Sequence, residues 1–193
     1  MLQNKFIAII LLLLIFTSCK DDDALPKPTG FLRLTYPNAT YEKVNTNTYE
    51  FETNKYANVI VNKKYWMKIQ YPKLNASLDI TYRKVNNNII ELLKEADKLT
   101  TKHAIKADAI YYDTYVNNDD KVYGKLSNVT GNAASALQFH VTDSTKHFLT
   151  GALYFNTQPN YDSIYPAVKY IEKDIIRLMN TTKWRNFESV NIK

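Results

Sequence analysis

Between residues 65 and 82 apolar and polar side chains alternate. Tyr65, Met67, Ile69 and Tyr71 share one face, with Trp66, Lys68 and Gln70 on the other, the period-two signature of a half-buried strand. Pro72 stops the run, and Leu78, Ile80 and Tyr82 resume it after a Lys73-Leu74-Asn75 turn, so the pair predicts a hairpin. Similar composition predicts strands at Phe31–Tyr36, Asn47–Glu52, Tyr56–Asn62, Asp108–Val116, Val122–Leu126, Leu137–Thr142 and Phe148–Phe155, the last apolar enough for a central strand. Twice the period lengthens to that of a helix. Ile89, Leu92, Leu93, Ala96, Leu99 and Thr100 fall on one stripe opposite Glu91, Lys94, Glu95 and Lys98, with Asn88 and Glu91 as a capping-box variant. Ile164, Ala167, Val168, Ile171, Ile175, Leu178 and Met179 form a second stripe, capped by Asp162 or Ser163, with Pro166 in the first turn. The predicted class is α+β: a mostly antiparallel sheet covered by two long amphipathic helices.

The first two dozen residues follow another logic. Lys5 precedes an unbroken apolar run, Phe6 to Phe16, which has signal-peptide length and is too short to span a bilayer. Thr17, Ser18 and Cys19 follow, with Phe16 three positions before the cysteine, a pattern that resembles a bacterial lipobox. Cys19 is the only cysteine, so no internal disulfide can form, and its position marks it as the acylated, palmitate-bearing N-terminus of an exported chain. Three units are expected: a signal peptide over 1–18, a lipidated cysteine with an acidic and proline-containing tether over 19–30, and one globular domain over 31–193. The acidic run Asp21-Asp22-Asp23 reads as a solvated spacer or as a surface-export signal. Outer membrane is the expected location, with the leaflet open.

Beyond Asp23 the chain is basic. Of 25 Lys and Arg and 19 Asp and Glu, setting aside Lys5, Lys20 and the three aspartates leaves 23 against 16. The lysines are scattered, Lys63-Lys64 being the one adjacent basic pair near aromatics, and no nucleic-acid recognition motif accompanies them. Histidine is scarce: three residues. His103 continues the apolar stripe of the first helix and reads as a core residue. His140, Asp143 and His147 have a metal-like spacing, but on a strand end and across a turn, where surface histidines flanking a hairpin are expected. Ser135, His140 and Asp143 supply the letters of a hydrolase triad without the nucleophile-elbow pattern. No catalytic residue, cofactor or metal is therefore assigned. Tyrosine, by contrast, is abundant, with fifteen in the chain. Such side chains suit binding faces as well as sheet surfaces, and the candidate partner face comprises Tyr112, Asn132, Asp143 and Tyr161.

Four segments together resemble the gliding motility lipoprotein family GldD of Bacteroidetes. They are Ala24-Leu25-Pro26-Lys27-Pro28 with Gly30 to Pro37; Lys102 to Asp108; Gly131 to Ser135 running into Gln138 to Ser144; and His147 to Phe155 with Pro159-Asn160 and Asp162-Ser163. The resemblance would place an aromatic and an arginine at His140 and Thr150. It implies a lipoprotein required for gliding and linked to type IX secretion, non-enzymatic and acting through other proteins of that machinery, with the membrane reached through the lipid and no nucleic acid. Two rivals remain open, a surface carbohydrate-binding lipoprotein and an envelope hydrolase. Against the first, Trp66 and Trp184 are expected in a strand and at a helix end, not paired at loop tips.

Overall fold

A computed structural model describes residues 35–62, 66–103, 106–157 and 160–185. The chain divides after Gly30, and every described residue belongs to the second unit, Phe31–Lys193. The signal segment, Cys19, the tether, Lys63-Lys64 and the side chain of His103 lie outside the described residues.

Among the described residues that unit holds two hairpin-built sheets and two α-helices. β1 (Tyr41–Asn45) and β2 (Tyr49–Asn54) pair antiparallel, and β10 (Lys183–Trp184) adds to the far side of β2. The larger sheet has the order β3-β4-β5-β9-β8-β7-β6, all pairs antiparallel. Its strands are β3 (Asn58–Asn62), β4 (Trp66–Tyr71), β5 (Ala76–Lys84), β6 (Ala107–Asn117), β7 (Val122–Gly131), β8 (Leu137–Thr142) and β9 (His147–Phe155). The predicted hairpin is there: β4 and β5 pair from Trp66↔Thr81 to Tyr71↔Ala76 around a short 3-10 turn, Pro72–Leu74, that ends on Asn75 in left-handed backbone. β9 is central, between β5 and β8.

One face of the large sheet supplies most of the core. Leu78, Ile80 and Tyr82 of β5, Leu149 and Leu153 of β9, and Leu137, Phe139 and Val141 of β8 pack with Tyr49 and Phe51 of β2. The helix α2 (Tyr161–Thr181) completes that layer with Val168, Ile171, Ile175, Leu178 and Met179. The row Ile80↔Gly151↔Phe139 shows how tight it is: a Cβ on Gly151 would lie 2.2 Å from the Phe139 ring. On the opposite face the helix α1 (Ile89–His103) packs through Leu92 against Val85 and Phe148, with Ile89, Leu93 and Ala96 half-buried around them.

The class is thus α+β, mostly antiparallel sheet with two helices, but the expected cover is only coarsely met. Of the first stripe Leu92 and Thr100 are buried, whereas Leu99 remains 41% exposed. Of the strand expected at Phe31–Tyr36, residues 31–34 lie outside the described residues; Thr35 and Tyr36 are irregular, and the Tyr36 ring stacks on Tyr170 at 4.9 Å. The cap of α2 is Asn160, whose side chain accepts from the Ser163 N–H, and not Asp162 or Ser163. The stripe of α2 also includes a buried carboxylate, Asp174, which accepts from Tyr41 Oη and Asn54 Nδ2, both at 3.0 Å. Burial pushes that carboxyl up, and hydrogen bonds from Asn54, Tyr41 and Tyr71 pull it back only partly.

Candidate functional site: the tyrosine-lined edge strand

β6 is the last strand of the large sheet and pairs only with β7 among the described residues. Its eleven residues alternate as a strand must, yet four in a row, Tyr111 to Thr114, are exposed. Tyr111 is 60% exposed, Tyr112 53% and Val116 61%. Successive side chains on a strand point to opposite faces, so Tyr111 and Tyr112 straddle the edge. A bulge between Ala107 and Ala109 bends the start of the strand, where Asp108 packs over Gly131. Gly131 has φ +85, and a Cβ there would lie 2.7 Å from the Asp108 nitrogen, so the bulge requires glycine.

Each face of the edge has its own surroundings. On one, Lys125 Nζ lies 4.7 Å from the Tyr112 ring centroid and also pairs with Asp97 of α1. On the other, Tyr111 is close enough to Tyr161 to act on its phenol electrostatically; burial is the main cause that raises the Tyr161 pKa. Tyr161 tilts against Tyr165 with centroids 5.5 Å apart, and its backbone N–H donates to Asn132 Oδ1. Lys169 and Glu172 pair beside them, and Glu172 accepts from Asn128 Nδ2 of β7. Asn132 and Tyr161 therefore come together, near Tyr111. Tyr112 faces the other way.

Asp143 is not with them. It follows β8, at the opposite end of that strand from Asn132, and closes the β8–β9 turn: Oδ1 accepts from the N–H groups of Thr145, Lys146 and His147. Burial pushes its carboxyl up, but those hydrogen bonds, with one from the Thr145 hydroxyl, prevail and hold it below the usual range. Four acceptor contacts make it a turn residue.

The residues that spelled possible chemistry are also dispersed. Ser135 is buried in the β7–β8 connection and donates to the Leu137 carbonyl at 3.1 Å. His140 and His147 are not surface histidines, being 8% and 2% exposed. Both faces of the sheet are covered at this point, so polar positions of β8 and β9 lie inside. His140 stacks on Phe148 at 5.8 Å, on the α1 face; burial, reinforced by the charge of Lys125, pushes its pKa down to about 4. His147 is on the other face, its Nδ1 2.8 Å from Tyr82 Oη and its ring stacked on Trp184 at 5.1 Å and 8°. The sheet stands between the two histidines, and no three His, Cys, Asp or Glu side chains among the described residues are placed to hold a metal ion. Trp184 does not end a helix: it lies in β10, paired with Tyr49, and its indole N–H donates to the Lys121 carbonyl.

No helix among the described residues is long and apolar enough to cross a membrane. No curated protein matches the chain. Among solved structures it is similar to the solution structure of cyanobacterial PsbP (CyanoP) from Synechocystis sp. PCC 6803, at 10% identity and a TM-score of 0.49, over 82% of this chain and 99% of that one. The model of the gliding motility lipoprotein GldD family matches residues 21–184, nearly the whole chain beyond the apolar N-terminal run. The chain belongs to the gliding motility lipoprotein GldD family.

Proposed function

We propose that this chain is an outer-membrane lipoprotein of the gliding apparatus, linked to type IX secretion, which acts by holding other proteins of that machinery and not by catalysis. Cys19 carries the lipid, residues 19–30 form the tether, and the domain that follows presents the partner face. The observation that supports this most is the β6 edge. An unpaired edge offers a row of backbone donors and acceptors to an added strand, and natural proteins blunt such edges with charged side chains, proline or bulges. Among the described residues the bulge of β6 is confined to Ala107/Ala109, the strand beyond it carries one charge, Asp113, and no lysine or proline, and it places aromatic side chains on both faces. An extended partner segment laid along it gains main-chain hydrogen bonds, with specificity from the flanking side chains. Such a segment meets Tyr112 on one face and Tyr111, Tyr161 and Asn132 on the other.

The test replaces Tyr111 and Tyr112 with lysine, singly and together, in the native chromosomal copy. Lysine keeps the strand exposed and soluble while disfavouring edge pairing. The expected outcome is normal abundance by immunoblot, lost or weakened gliding, and loss of at least one envelope protein from affinity-purified complexes. A double variant that glides normally and retains every co-purifying protein overturns the edge as the partner face.

A further inference from the structure

Three segments distant in sequence converge on a polar cleft of about 530 Å³. Its walls are the β6–β7 turn with Asp119, Asp120 and Lys121, the β8–β9 turn with Asp143, Thr145, Lys146 and His147, and β10 with Lys183 and Trp184. The volume is within the range of small-ligand sites. We propose that this cleft is a saccharide-binding site, with Trp184 as the platform for a sugar ring. This inference is independent of the β6 edge.

Trp184 is fixed before any ligand arrives. One ring face lies parallel to His147, which Tyr82 holds through Nδ1, and the indole N–H is spent on the Lys121 carbonyl. What a half-buried indole in this state can offer a cleft is π surface, and that suits the C–H face of a pyranose. The charges around it balance: three aspartates, 119, 120 and 143, against three lysines, 121, 146 and 183. Such a wall carries no net charge that would favour an anion or a cation as a whole. It does have donors and acceptors side by side, which match hydroxyl groups able to act as both. Not all of them are open. Asp143 is occupied by its turn, and Asp120 accepts from Asn117 Nδ2 while lying 3.8 Å from Lys183. Asp119, Lys121 and Lys146 are exposed and are the groups left to meet a ligand, one as acceptor and two as donors. A neutral, hydroxyl-rich ring answers this set better than a phosphate, which would face the carboxylates, or a metal ion, which would face the lysines.

Since the chain has two tryptophans, Trp66→Phe leaves Trp184 as the sole indole reporter. The full-length Trp66→Phe protein, purified in LDAO because that detergent has no sugar headgroup, is titrated with cellobiose, N,N′-diacetylchitobiose and maltose. The expected result is a saturable change in tryptophan emission, in the millimolar range, with at least one of the three. Adding Asp119→Ala and Lys146→Ala should weaken that response by about tenfold or more at an unchanged melting temperature. These are exposed side chains, so the comparison does not depend on disturbing the Trp184 packing. A flat response to all three sugars overturns the proposal. So does equal affinity in the triple variant, or a response to inorganic phosphate or calcium in place of the sugars.

Discussion

Lowering the pH asks His140 to carry a charge where it has little water. Its folded-state pKa of about 4 lies below the ordinary 6.5 because burial, and next the ammonium of Lys125, disfavour the imidazolium. As pH falls the unfolded chain takes up the proton first, so the fold loses ground. The contribution is fully present above about pH 6.5 and is lost progressively down to about pH 4, to a total of roughly 3 kcal/mol. His147 shifts in the same direction, mainly by burial, so the two must be separated. Urea unfolding of wild type and His140→Gln at pH 7 and pH 5 does so. The stability difference between the two pH values should shrink in the variant, whatever its stability at pH 7. An identical difference in both proteins would mean that His140 takes its proton equally well folded and unfolded.

Among the elements, β9 shows how a strand is held by what it lacks. The Phe139 ring fills the space over Gly151, and an added methyl would overlap it. Gly151→Ala should cost about 1–3 kcal/mol, read as a lower denaturation midpoint with an unchanged slope, and Phe139→Leu should restore part of the loss. Additive losses in the double variant would show that the ring is not the obstacle. β4, β5 and α2 were legible in the sequence because each buries one face, and a single buried face imprints its period directly. β8 misleads for the opposite reason. Gln138, His140 and Thr142 have the rhythm of solvent-facing residues, yet α1 lies over that face and all three are buried. β10 leaves no periodic signal at two residues, and it exists only because β2 offers it an edge. The tyrosine surplus pointed to Tyr112 and Tyr161. That Tyr111 and Tyr112 straddle an edge depends on β6 being last in the strand order among the described residues, which no local pattern encodes. The cleft at Trp184 was likewise invisible, since residues near 120, 145 and 184 meet only through topology.

At the scale of the whole molecule, attachment and fold can be tested apart. If the lipid on Cys19 is the anchor, Cys19→Ala should move the protein from the membrane fraction to the soluble envelope fraction while its melting temperature stays the same. A variant still wholly membrane-bound at normal abundance would show that another part of the chain holds it there. The small sheet has a different bearing, on the order of events during folding. β2 pairs with β1 a few residues upstream and with β10 some 130 residues downstream, so Tyr49 and Trp184 share a ladder. A chain that emerges N-terminus first makes Tyr49 and Phe51 early, but the helix and strand that cover them, Tyr161–Thr181 and Lys183–Trp184, are made more than 100 residues later. Contacts of such long separation close slowly. Until the closing segment arrives the chain has an incomplete core and remains threadable, which is the condition a polypeptide needs if it is to pass a membrane before it folds.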